Sequence, residues 1–127
     1  MGEHREALTL TVNAIDVQQR GGKLLYMPAL LRMKGFVLAS RSEKDYFEAE
    51  ESLLSAIDWA KRQSATLFEL TAATDLAELL LKQRRVPEAC KYLSAAFDRM
   101  PAGIVSPVHE RAQNILNGLR SGIEALS

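Results

Sequence analysis

The chain has a single cysteine, Cys90, among 127 residues. It therefore cannot close an intramolecular disulfide, and without a CxxC spacing neither a zinc site nor a redox pair is expected. This usage suits a reducing, cytoplasmic setting. No segment approaches the roughly 20 consecutive apolar residues that a membrane span requires, so no membrane association is expected. The opening MGEHREALTL mixes acids with bases and lacks an apolar run, unlike a secretory leader. Charge of one sign is also lacking: 16 Lys and Arg balance 16 Asp and Glu, leaving no global field to attract nucleic acid or an anionic surface. No stretch alternates with period two for long enough to argue for a strand. What is present is apolar content, 47% of the residues, enough for one packed domain of this length.

That apolar content is repetitive. EALTLTVNAI at 6–15 returns as EAEESLLSAI at 48–57 and as EACKYLSAAF at 88–97. On a common frame, Ala7, Ala49 and Ala89 coincide, as do Thr11, Leu53 and Leu93, then Ala14, Ala56 and Ala96, then Ile15, Ile57 and Phe97. These spacings keep one face of a 3.6-period helix. Alanine at facing positions admits a second helix closely, and each phrase reads as the second helix of a hairpin. The segments between phrases repeat as well. Ala7 to Gly35 is 28 positions, as is Ala49 to Ala77, and Leu38 and Leu80 follow three residues after each small residue. Gly35 thus reads as a close-packing position rather than as a helix defect.

Punctuation agrees. Gln18 to Gly22 carries a stop signal after the first phrase. Asp45 with Glu48 forms a capping-box pattern, Pro87 suits a first helical turn, and Pro101 begins the loop PAGIVS before Ser106 and Pro107 open a last helix. That helix carries Val108, Ala112, Ile115, Leu116, Leu119, Ile123 and Leu126 on one stripe, as a lid would. The predicted helices are 4–19, 24–41, 45–63, 65–84, 87–100 and 107–125. The expected fold is all-α, a single domain of antiparallel hairpins stacked as a short right-handed solenoid, with an incomplete first repeat at 1–22, repeats at 24–63 and 65–100, and a capping helix at 107–125.

The positions Leu76, Ala77, Leu80, Ala89, Leu93, Ala96 and Pro101 resemble the signature of the tetratricopeptide repeat, whose unit is about 34 residues. Here the phrases recur after 42 and then 40 residues, so the likeness is to a divergent, long-helix form. More narrowly, the run from Pro28 to Leu119 resembles the C-terminal repeat region of large bacterial signalling proteins, those joining a nucleotide-cyclase or DNA-binding domain and a STAND-type ATPase to a helical tail. No catalytic motif of such proteins is present, so their activities are not implied. The resemblance implies a concave groove lined by first helices, mapped onto Arg32 and Phe36 in one unit and onto Thr71, Thr74, Asp75, Glu78 and Lys82 in the next. Mixed charges with hydroxyls there suit a peptide carrying both signs.

The first phrase departs from its siblings in having no preceding helix and in being apolar at Leu8, Leu10 and Val12. Terminal repeats ordinarily need a polar outer face, so this end is expected to be covered by a second copy, giving a homodimer through the N-terminal helix, or by another protein.

Chemistry is sparse. His4 and His109 read as solvated or capping residues, since HisGlu at 109–110 lacks the second His of a zinc protease helix. Cys90 reads as a small apolar filler, and Glu50 with Glu51 as a solvated face. GlnArgGlyGlyLys at 19–23 lacks the spacing of a phosphate loop. LysGlnArgArgVal at 82–86 complements a helix dipole and lacks the aromatic interleaving of a nucleic-acid surface. Trp59 and Phe68, at a helix junction, read as core, with Trp59 partly off the packed stripe. No enzyme activity, cofactor, metal or nucleic-acid partner is expected. The leading reading is a protein-binding or scaffold module. The other is a regulatory tail that binds a small ligand or controls a separately encoded ATPase or transcription factor.

Overall fold

A computed structural model describes residues 2–21 and 24–126, with side chains for residues 3–21 and 24–121. Six α-helices make up the described chain: α1 (Gly2–Gly21), α2 (Met27–Arg41), α3 (Tyr46–Arg62), α4 (Thr66–Lys82), α5 (Val86–Asp98) and α6 (Pro107–Leu126), with a short 3₁₀ turn at Glu43–Asp45. No strand occurs among the described residues. The all-α class and the helix count agree with the periodicity of the sequence.

Each helix packs on the next, and α4 also packs between α2 and α6. Among the described residues α1, α3 and α5 do not pack on one another. The molecule thus has an inner layer of α2, α4 and α6 and an outer layer of α1, α3 and α5. The central helix α4 is the most enclosed, with ten buried residues from Glu69 to Leu80.

The repeated frame is the packing frame. Ala49, Ala56, Ala89 and Leu93 are fully buried, and Leu53 nearly so. In α1 the corresponding Thr11 is buried and returns its hydroxyl to the Ala7 carbonyl at 2.8 Å, which removes the cost of placing it there. Gly35 faces Leu53 so closely that a Cβ on it would lie 2.6 Å from Leu53 Cγ and 3.1 Å from the Ala49 carbonyl oxygen. The glycine is a contact requirement between α2 and α3.

Several boundaries differ from the sequence pattern for identifiable reasons. α2 starts at Met27 rather than 24, because Pro28 belongs in a first turn. Asp45 makes no cap to α3; its carboxylate accepts from Arg41 Nε at 2.8 Å, while Ser42 caps the 3₁₀ turn. The Arg41 contact holds the Asp45 carboxyl below its ordinary range. α1 continues through Gln18 to Gly21, and Gly22 and Lys23 lie outside the described residues. In α6, Ala112, Leu116 and Leu119 are buried as the stripe requires, with Ser106 Oγ accepting from the His109 N–H at 3.2 Å. The side chains of Ile123 and Leu126 lie outside those described. No described helix is long and apolar enough to cross a membrane.

The α3–α4 and α4–α5 joints are built alike. Ser64 and Arg84 adopt left-handed backbone, φ +55° and +60°. The next N–H in each joint then returns to the helix, Ala65 to Ala60 at 2.8 Å and Arg85 to Leu80 at 2.9 Å. Glycine is the residue this conformation favours. Ser64→Gly and Arg84→Gly are each expected to stabilise the chain by about 0.5–1 kcal/mol. The two joints lie at opposite ends of α4, so their shifts in urea midpoint should add.

Candidate functional site

α4 presents Thr71, Asp75, Glu78 and Lys82 at intervals of four, three and four, a single stripe on a 3.6-residue helix. Arg32 of α2 and Arg111 of α6 flank that stripe. Arg32 Nε donates to Asp75 Oδ2 at 2.7 Å, and Arg111 Nη2 donates to Asp75 Oδ1 at 3.3 Å. Arg111 Nε also donates to Glu78 Oε1 at 2.9 Å. One buried carboxylate, with its side chain 4% exposed, therefore ties all three inner helices together. The hydrogen bond that Arg111 donates to Glu78, outweighing partial burial and aided by the charges of Glu78 and Asp75, raises the pKa of the Arg111 guanidinium.

Beside this network lies a cleft of about 40 Å³ lined by Phe36, Ser40, Asp75, Glu78 and Lys82 among others. It has room for about one water molecule. Phe36 is 52% exposed at its mouth, and Lys82 is exposed.

The residues singled out from sequence divide accordingly. Arg32, Phe36, Asp75, Glu78 and Lys82 come together on one face. Thr71, half-buried, lies one turn before Asp75 on the same stripe, its hydroxyl donating to the Leu67 carbonyl at 2.9 Å. Thr74 is fully buried and its hydroxyl donates to the Leu70 carbonyl at 2.7 Å, so it presents nothing to a ligand. Arg111 was not foreseen: the repeat frame stops short of α6, and only the apposition of α6 with α4 makes this arginine part of the face.

At the N-terminal end, Leu8 is turned inward against the core. Leu10 and Val12 are 63% and 43% exposed. Leu10 and Val12, two positions apart on a helix, point to different sides, and the exposed apolar residue on the side of Leu10 is Val17, at 65%. Leu8, Leu10 and Val12 therefore do not form the single apolar face expected of α1.

The other polar features resolve into structural pairings. Glu50 is half-buried and receives Arg85 through both guanidinium Nη atoms, so it is not a free acid beside Glu51. Arg85 also holds Glu88, whose carboxyl is shifted below its ordinary range chiefly by that hydrogen bond. The basic run at 82–86 is thereby dispersed among a cleft wall, a turn and an ion pair. The His109 ring stacks on Phe97 with centroids 4.7 Å apart, and His4 is half-buried on α1. Cys90 is half-buried, with its Sγ 3.7 Å from Ser94 Oγ. Trp59 is half-buried beneath the Arg62 guanidinium, 4.3 Å from the ring centroid. Phe68 is 44% exposed, because it lies in the first turn of α4 on the side opposite buried Leu70. Among the described residues no group of His, Cys, Asp and Glu is arranged to hold a metal ion.

No protein-family model matches the chain, and no curated protein or solved structure shows significant similarity to it.

Proposed function

We propose that the chain is a non-catalytic protein-binding module whose inner-helix face receives an extended peptide segment of a partner protein, in the manner of the tetratricopeptide arrays it resembles. The observation that carries this reading is the side-by-side arrangement of α2, α4 and α6. It presents Phe36, half in solvent, next to two carboxylates, a lysine and two guanidinium groups that are about one-third exposed, 34% for Arg32 and 40% for Arg111. An apolar anchor flanked by charges of both signs suits a peptide with a central apolar residue and mixed charge. The cleft at this face encloses only about 40 Å³, so a ligand there would lie mostly along the surface, as an extended peptide does. In the regulatory version of this reading, the bound segment belongs to a separately encoded ATPase or transcription factor of a bacterial signalling system. The half-buried, unpaired Cys90 accords with a cytoplasmic setting.

The test is peptide-array selection on the purified chain, followed by titration of the selected peptides against Phe36→Ala and Lys82→Glu. Both side chains are exposed and outside the ion-pair network, so neither change should disturb folding. Each is expected to weaken binding at least tenfold. Affinities unchanged in both variants would rule out this face as the binding site.

A further inference from the structure

Each inner helix is entered through two consecutive large apolar residues left in solvent. Leu25 and Tyr26 precede α2 and are 65% and 57% exposed; Leu67 and Phe68 lie in the first turn of α4 at 45% and 44%; Ile104 and Val105 precede α6 at 41% and 80%. The first two pairs are 42 residues apart, the same interval that separates Gly35 from Ala77. The pairs belong to one end of the molecule, because α2, α4 and α6 alternate with the outer helices and start from the same side. Gln63 Nε2 donates to the Leu24 carbonyl at 2.8 Å, joining the first two turns. Arg99, just after α5, grips Glu69 in the first turn of α4. Neighbouring packed helices lie about 8–10 Å apart, so the pairs form a row about 20 Å long. The opposite end is polar and charged at 42–45 and 83–85, with one exposed aromatic, Phe47, in the first turn of α3.

The row exposes on the order of 600 Å² of apolar side chain, the top of the roughly 300–600 Å² range for the largest patch on a monomer. With its polar rim it approaches the ~800 Å² that each partner contributes to a standard interface. Among the described residues most rim charges are paired, and exposed Lys61 and Asp98, which are in no ion pair, are of opposite sign. Arg20 pairs with Asp16 at 3.1 Å, Arg62 with Asp58 at 2.8 Å, and Arg99 with Glu69. Among the described residues such a rim is balanced in charge, which gives little attraction for an anionic membrane or nucleic acid and little repulsion of a second copy.

We propose that this row is a two-fold contact between two copies of the chain. Leu67 and Phe68 lie at the axis, and Leu25 and Tyr26 of one copy meet Ile104 and Val105 of the other. An evenly spaced row satisfies the isologous requirement that each end face the other end. The surface is distinct from the peptide-binding face and larger than the three exposed apolar side chains of α1, Leu10, Val12 and Val17, which do not share one side of the helix.

Sedimentation velocity on the full chain across a concentration series tests the proposal. The wild type is expected at twice its 14.1 kDa mass, with the dimer persisting in high salt. Val105→Glu alters an exposed loop position and leaves the helices intact, as far-UV circular dichroism will verify. It and Leu25→Glu should each weaken dimerisation at least tenfold, while Leu10→Glu leaves it unchanged. A wild type that stays monomeric at every concentration, a dimer indifferent to both edge variants, or a dimer abolished by Leu10→Glu alone would each overturn the proposal.

Discussion

Leu53→Ala is expected to destabilise the chain by about 3–5 kcal/mol, the range for a fully enclosed leucine whose cavity cannot collapse. Leu53 is 1% exposed and stands where α3 meets the closest approach of α2. The same leucine decides what happens at Gly35. Alanine for glycine inside a helix ordinarily gains about 1 kcal/mol. At Gly35 the added carbon would lie 2.6 Å from Leu53 Cγ and 3.0 Å from its Cδ2, and overpacking of this kind costs about 1–3 kcal/mol. Gly35→Ala in the wild type should therefore be destabilising by about 1 kcal/mol net. In the Leu53→Ala background two of the three close atoms are gone, and Gly35→Ala should become neutral or stabilising. Gly118, with nothing within 4 Å of an added Cβ, serves as the control and should gain stability outright. Urea unfolding followed by far-UV circular dichroism measures all four variants. An independent, additive Gly35 effect in the cycle would show that the two helices are not in contact there.

The second large effect concerns Asp75. Its carboxylate is 4% exposed and accepts from Arg32 and Arg111 on two other helices. Asp75→Asn keeps the shape, removes the charge and leaves two guanidinium groups facing a neutral amide. Breaking a fully buried pair costs about 3–5 kcal/mol. Both arginines here can recover water, which reduces the expected loss to about 2 kcal/mol. Glu78→Gln, at a side chain 43% exposed, should cost less than about 1 kcal/mol. If the two losses were equal, Asp75 would not be the joint that the geometry describes.

The sequence made the packing frame legible because close contact between helices dictates residue size at fixed intervals. Alanine at 49, 56, 89 and 96 and glycine at 35 are small for one reason, and a pattern of small residues survives without coordinates. Pro28 and Asp45 show where such reading stops. The start of α2 depends on where a proline is tolerated in a turn. The failed cap depends on a choice by Asp45 between a backbone N–H ahead and Arg41 behind, and spacing alone does not rank those two. Arg111 was illegible because its partners sit 33 and 36 residues away and are reached only when α6 docks on α4. The paired apolar residues at the entrance of each inner helix are plain in the sequence. Their exposure is not, since an apolar pair at a helix entrance looks the same whether buried or bare.

The matched joints at Ser64 and Arg84 make the number of hairpins an adjustable quantity. Residues 46–85 begin at an outer helix entered from the 3₁₀ turn at Glu43–Asp45 and end after the left-handed exit at Arg84. A tandem copy of that segment inserted after Arg85 would keep the existing joint on its far side, and on its near side the copied α3 would follow the Arg84 exit in place of the 3₁₀ turn. The lengthened chain would gain one more inner helix while the closing surface that α6 covers stays as it is.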